Sequence, residues 1–356
     1  MKKIKYPYCL QVLITLVALM ATLSSCLSDE LVQDEERGLI IMSLDGIKTR
    51  AAGDPLFAGD EEITKVRIFV FINETLEVNR LFTAGETSFN NPFVLDVVTG
   101  PKDVYVVANE NAELTSVLNG ITTKAALKSV PIPGGITTPL SLPLMMTGKA
   151  LNVQVVNPKP GTNEVTVLLT RAAAKINLEL LKNTPNGITI KKVSLKSNAG
   201  KSTLWESSTP VTGQSYYNYT VTPNPYSYEL SDDPTQKLVL PPVYVYENLA
   251  TAPDNEGNTN ATLLEVEAIY DDGTVPGGIP TLYTVYLNEN TIQPSPVAGE
   301  PYNSESSDDP QYFYKLRRGY EYKLTGTIVD LGAFTLLNTK VKVLPWTVHQ
   351  YKVPLE

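Results

Sequence analysis

Few residues of this chain could do chemistry. Its one histidine, His349, lies seven residues from the end, so Ser-His-Asp or Cys-His catalysis and His-rich metal sites have little to work with. The spacings Gly-x-Gly-x-x-Gly, Gly-x4-Gly-Lys-Ser/Thr and His-Glu-x-x-His do not occur. Carboxylates stand in turns such as Asp232-Asp233-Pro234 and Asp271-Asp272-Gly273, where solvated turn chemistry accounts for them. We therefore expect no enzyme, no catalytic residue, no metal and no cofactor. Two positions remain where chemistry could be done to the chain instead of by it. One is the thiol of Cys26, which follows Leu23-Ser24-Ser25, and the other is the Arg50-Ala51 bond within Thr49-Arg50-Ala51-Ala52.

The surroundings of Cys26 set its compartment. Lys2, Lys3 and Lys5 precede an apolar run, Leu10 to Leu23, which is too short to be a comfortable membrane span and reads as an export signal. Leu23-Ser24-Ser25-Cys26 resembles a bacterial lipobox, in which small residues admit the lipoprotein signal peptidase and the Cys thiol carries the diacylglyceryl group. An ordinary signal peptide that happens to contain a Cys is the alternative. Cys9 falls inside the signal, so Cys26 keeps no disulfide partner in the exported chain, which must then be held together by its core. The acidic stretch LSDELVQDEERG after Cys26 reads as a tether and resembles the surface-export signal of Bacteroidetes lipoproteins. The organisation expected here is a signal peptide over 1–25 and a lipidated tether with a propeptide strand over 26–50, so that membrane attachment is through the lipid alone.

The formal charge is −9, and loss of the three signal lysines makes the exported chain more acidic still. Such a surface disfavours nucleic acid and anionic lipid as partners. The elements are β-type. In Leu39-Ile40-Ile41-Met42-Ser43-Leu44, Ile40, Met42 and Leu44 share one face of a strand, Leu39 and Ile41 the other. Ile63–Ile72 and Lys102–Asn109 read as buried strands, and further runs follow at Ile188–Leu195, Lys237–Tyr246, Leu263–Tyr270, Thr281–Leu287, Tyr320–Val329 and Thr335–Val353. Short runs punctuated by Gly, Pro and Asn predict an all-β chain built of β-sandwiches. Residues 110–128 are the expected helical insertion, with Leu114, Val117 and Leu118 on one face and Gly120 as a stop. The loop Asn157-Pro158-Lys159-Pro160-Gly161 divides an amino-terminal sandwich, 51–162, from a carboxyl-terminal one, 163–356.

Several phrases then fall in order: Cys26, the apolar strand, Thr49-Arg50-Ala51, Val66-Arg67-Ile68-Phe69-Val70-Phe71, Val104-Tyr105-Val106-Val107-Ala108-Asn109, Leu144-Met145-Met146-Thr147-Gly148, Leu169-Thr170-Arg171-Ala172-Ala173-Ala174-Lys175-Ile176, Leu316-Arg317-Arg318-Gly319-Tyr320-Glu321-Tyr322 and Pro345-Trp346-Thr347-Val348. Together they resemble the fimbrillins of Bacteroidetes type V pili, the FimA-like lipoprotein pilins. The resemblance implies two tandem sandwiches of transthyretin-like, fimbrillin type. It also implies transit to the outer membrane as a lipid-anchored precursor, a cut by an arginine-directed surface protease after Arg50, and departure of the lipid together with the strand formed by Leu39, Ile40, Ile41, Met42 and Leu44. The opened groove would accept a donor strand from the tail, 335–356, of another copy or a related pilin. Leu344, Trp346 and Val348 share one parity in that tail, while Tyr351, Val353 and Leu355 share the other, so a bend is expected near His349-Gln350. About five apolar side chains entering the groove at ~1.5–3 kcal/mol each would contribute on the order of 10 kcal/mol before ordering costs.

Such a chain would serve adhesion or biofilm formation as a subunit of the surface fimbrium. A tip or accessory subunit, whose own tail stays folded back, is the nearest alternative. A surface glycan-binding lipoprotein is the other, with Trp205, Tyr216, Tyr217 and Tyr219 as its aromatic cluster. Arg37 is a rival basic position, but a cut there would leave the strand in place.

Overall fold

The computed structural model describes residues 36–44, 59–157, 163–254, 257–288, 313–331 and 338–345. Its strands are β1 (Arg37–Leu44), β2 (Lys65–Ile72), β3 (Thr75–Thr83), β4 (Phe93–Val98), β5 (Gly100–Ala108), β6 (Met146–Val155), β7 (Glu164–Val167) and β8 (Thr170–Arg171) in the amino-terminal half. They form two facing sheets, β3-β2-β5-β6-β8 and β4-β1-β7. Between them lies a core of Ile40, Met42, Val66, Ile68, Val70, Phe93, Leu95, Val104, Val106, Val165 and Val167, all buried.

β2 has apolar residues on both faces because both faces are covered. Val66, Ile68 and Val70 look into the sandwich. Phe69 and Phe71, with Tyr105 and Val107 of β5, meet two short helices, α1 (Ala112–Asn119) and α2 (Lys124–Lys128). The side chain of Asn111 caps α1 by accepting from the Leu114 amide at 2.7 Å, and the helix ends at Gly120. Leu114 and Leu118 are buried, whereas Val117, expected on the same face, is 42% exposed. One buried residue per turn, two in all, suffices to seat so short a helix.

The carboxyl-terminal half runs β9 (Ala174–Lys182), β10 (Gly187–Ala199), β11 (Tyr216–Thr220), β12 (Tyr228–Glu229), β13 (Leu238–Val239), β14 (Val243–Val245), β15 (Leu263–Asp271), β16 (Ile279–Tyr286), β17 (Tyr320–Ile328) and β18 (Asn338–Pro345). One sheet is β11-β10-β15-β16, with β12 on β10; the other is β13-β9-β17-β18, with β14 on β9. Alternation along β9 and β15 places Ile176, Leu178, Leu180, Leu264, Val266 and Ala268 in a second core. The single run expected over Lys237–Tyr246 is broken into β13 and β14 at Pro241-Pro242, since proline donates nothing to a ladder.

The strand pairing moves the boundary between the halves. A division at 162/163 would assign β7 and β8 to the second sandwich. Instead β7 pairs in parallel with β1, Ile41 opposite Glu164 through Leu44 opposite Val167, and β8 pairs with β6. The chain therefore crosses at Ala172-Ala173, both buried, and not at the proline-bearing loop before residue 163. Arg171, fully buried at that crossing, donates from Nε to the Asp60 carbonyl at 3.0 Å. Lys175 Nζ lies 2.7 Å from the Asp60 carboxylate, and the Tyr244 hydroxyl donates to the same oxygen at 3.4 Å.

Candidate assembly site around the first strand

β1 is the middle strand of its sheet. It pairs antiparallel with β4, from Arg37 opposite Val98 to Met42 opposite Phe93, and parallel with β7 on its other side. Ile40 and Met42 are fully buried and Leu44 nearly so, while Leu39 is 42% exposed and Ile41 half-buried. The inward parity is the one expected from sequence. β1 itself commits three side chains to the core, because its other face is the outer face of the small sheet.

Both ends of the strand are held by side chains, of which sequence reading singled out Arg37 alone, and for another role. Asn91 accepts from the Leu44 amide at 3.0 Å and donates to the Leu44 carbonyl at 3.2 Å. Arg37 Nε reaches Asp96 at 3.0 Å in an exposed pair, which screening keeps weak. Asn163 gives its carbonyl to the Ile41 amide at 3.1 Å, and its amide side chain bridges the Val156 backbone, donating at 2.8 Å and accepting at 3.1 Å. A Cβ at Gly38 would lie 2.7 Å from the Val156 carbonyl oxygen, so only glycine passes there without displacing the backbone of the segment after β6. The alternation in Phe93-Val94-Leu95-Asp96-Val97 was the available signal for β4. Nothing local marks Asn91 or Asn163 as partners of a strand far away in the chain.

Removal of β1 would leave β4 and β7 without a ladder partner in their sheet, and a groove where three side chains had been. Those side chains represent about 1.5–3 kcal/mol each, and the freed amides and carbonyls would need new partners. The covalent link from β1 to the rest of the sandwich runs only through residues 45–58, on its carboxyl side. Arg50 and Ala51 fall in that link, outside the described residues; Cys26, before β1, also lies outside them. Residues 59–61 beyond the link are tied to the crossing through Asp60 and Glu61, the latter 3.4 Å from Arg171, and those contacts do not pass through β1.

At the other end of the chain, β18 pairs antiparallel with β17 from Tyr320 opposite Pro345 to Thr327 opposite Asn338, at the edge of its sheet. Leu344 of the expected donor segment belongs to this strand, opposite Glu321. Trp346, Val348, Tyr351, Val353 and Leu355 lie outside the described residues.

The aromatic residues weighed as a platform do not form one cluster. Trp205 donates from Nε1 to the Leu127 carbonyl at 3.0 Å and meets Tyr105 edge-on, centroids 5.2 Å apart. Tyr217 is buried, and that burial pushes its hydroxyl pKa up. Tyr219 packs against the second core. Among the described residues no group of three or more His, Cys, Asp or Glu could hold a metal ion, and no helix is long and apolar enough to cross a membrane.

Two tandem sandwiches, the first completed by a strand joined to it through one link, define a two-domain all-β class of protein. Residues 42–196 match the sequence model of the family described as "Major fimbrial subunit protein (FimA)", and over that stretch the chain is similar to this family. A relative, the major fimbrium subunit FimC of Porphyromonas gingivalis, is 35% identical over 325 residues, 88% of this chain and 64% of that protein. The chain thus spans just under two thirds of the length of the curated relatives it matches. Among solved structures, a fimbrilin (FimA) from Porphyromonas gingivalis W83 shares the fold with a TM-score of 0.55 at 17% identity, covering 89% of this chain and 99% of that one. The tip fimbrial protein Mfa3 of Porphyromonas gingivalis does so with a TM-score of 0.54 at 13% identity, covering 86% and 100%.

Proposed function

We propose that this chain is a structural, non-enzymatic subunit of a cell-surface fimbrium. It is exported as a lipoprotein on Cys26, cut after Arg50, and polymerised when a donor strand from the tail of another subunit takes the place of β1. The observation that carries the reading is the position of β1: central in its sheet, yet covalently joined to its sandwich only through residues 45–58. Such a strand is essential while present and separable by a single cut. Its presence in the precursor also explains how premature polymerisation is avoided, because a filled groove has no open edge. The partners are other fimbrial subunits, a lipoprotein signal peptidase and an arginine-directed protease.

A second reading, a tip or accessory subunit, draws on β18, which pairs with β17 of its own chain. A shaft subunit must supply a donor from residues 346–356, beyond β18, whereas a tip subunit supplies none. Intact mass and amino-terminal sequencing of the protein from sheared surface filaments test the main reading. A chain beginning at Ala51, and an Arg50→Ala variant that stays cell-bound and monomeric, are the expected results. A filament-borne chain that still begins at Cys26 would overturn it.

A further inference from the structure

Between the two sandwiches lies an open cavity of about 810 Å³, lined by no residue of β1. Its walls come from β6 and β8 on one side, and from the segments holding Trp205, Glu247 and Lys315–Arg318 on the other. Junctions between domains are where ligand sites form most often. This one is charged against the grain of the molecule. The chain carries 38 acidic and 29 basic residues, yet Lys149, Lys315, Arg317 and Arg318 line the cavity against Glu206 and Glu247 alone.

Glu247 is already used, being ion-paired with Arg318 in a buried contact. Arg318 also donates to the Leu204 carbonyl at 3.1 Å and to Ser202 at 2.9 Å, which fixes the far wall. Its Nε is buried without an acceptor among the described residues. Lys149 and Lys315 have no acidic partner among the described residues either. The result is a surplus of positive charge at a concave site, which attracts an anion. Trp205 adds a rigid aromatic surface, immobilised by its indole hydrogen bond and by Tyr105. The negative face of such a ring attracts the polarised C–H bonds of a sugar.

We infer that this cavity binds an anionic saccharide, with Lys149 and Lys315 meeting the acidic group and Trp205 packing against the sugar ring. The inference does not depend on strand exchange, since no residue of the cavity belongs to β1 or to the tail.

The test uses the full chain and four probes: sialyllactose, trigalacturonate, neutral lactose and sodium acetate. Titration calorimetry or saturation-transfer NMR is run on the natural protein and on a Lys149→Glu/Lys315→Glu variant. Lys149 is exposed and Lys315 partly so, so the variant should keep its melting temperature, which is measured in parallel. At least one acidic saccharide should bind about tenfold more tightly than lactose, weaken as salt is raised, and lose about tenfold in the variant, the size expected for charge-assisted contacts. A Trp205→Phe variant, which keeps the packing but not the indole, should weaken the saccharide and leave acetate unchanged. The inference is overturned if no acidic saccharide binds, if lactose or acetate binds as tightly, or if the double variant binds undiminished.

Discussion

Asn91 holds the last residue of β1 by both of its backbone groups, and that geometry makes it the best single probe of how firmly the strand is seated. An Asn91→Ala change leaves the Leu44 amide and carbonyl without their partners, at about 1–3 kcal/mol in a partly buried site. Denaturant unfolding of the uncleaved chain should show that loss, and Asn91→Asp, which keeps only the acceptor for the Leu44 amide, should lie between. No loss in either variant would mean that water replaces the side chain without penalty. At the crossing between sandwiches the informative residue is Tyr244, whose hydroxyl pKa is pushed up to about 12, first by burial and then by Asp60. A phenol whose pKa is raised on folding favours the neutral form. Its contribution is therefore complete below the unfolded value of about 10 and is lost as pH rises from about 10 through about 12. Alkaline denaturant curves should accordingly steepen less for Tyr244→Phe than for the natural chain; identical curves would remove Tyr244 from the account.

At the scale of elements, β18 and the residues after it must be treated separately. Deleting 346–356 removes the proposed donor and leaves the β17-β18 ladder whole, so the monomer should melt as before while polymers disappear. Deleting 338–356 uncovers β17 as well and should lower the melting temperature of the monomer itself. Equal polymer yield after the shorter deletion would favour the tip reading. Sequence pattern revealed the elements whose alternation is local. β9, β15 and the inward parity of Ile40, Met42 and Leu44 follow from period-two spacing alone. It did not reveal which sandwich owns β7, because the partner of Val165 is Met42, and a parallel pairing between such distant segments leaves no mark in either. The two prolines near residue 160 were the louder local signal, and they punctuate a connection inside the first sandwich. The Gly38 contact, the Asn91 clamp and the cationic cavity were unreadable for the same reason: each is made by residues that only the folded chain brings together.

For the whole molecule, the consequence is that the amino-terminal sandwich is assembled from both ends of its own sequence, β1 closing one side and β7 with β8 the other. Val165, Val167 and Leu169 are buried in its core, so a fragment that stops at residue 162 forgoes three apolar side chains at about 1.5–3 kcal/mol each. That sum is comparable with the whole stability of a domain of this size, about 5–15 kcal/mol. The same fragment also strips β1 of its parallel partner and bares the edge of β6. A fragment of residues 36–173 retains all of these contacts and gives up those that both fragments lack, among them the cover of Leu204 and Trp205 over the cluster of Phe69 and Phe71, the backbone bonds of Val130, Ile132, Ile136 and Leu140 to the second half and the Asp60 contacts to Lys175 and Tyr244. The fragment 36–173 should therefore unfold in one cooperative transition, and 36–162 should show none by circular dichroism or by amide-exchange protection of β2 and β5. If the two behave alike, β7 is an accessory of the first sandwich and not a part of it. The groove left by β1 would then be bounded by β4 alone, and an incoming donor would find half the ladder that the strand-exchange reading requires.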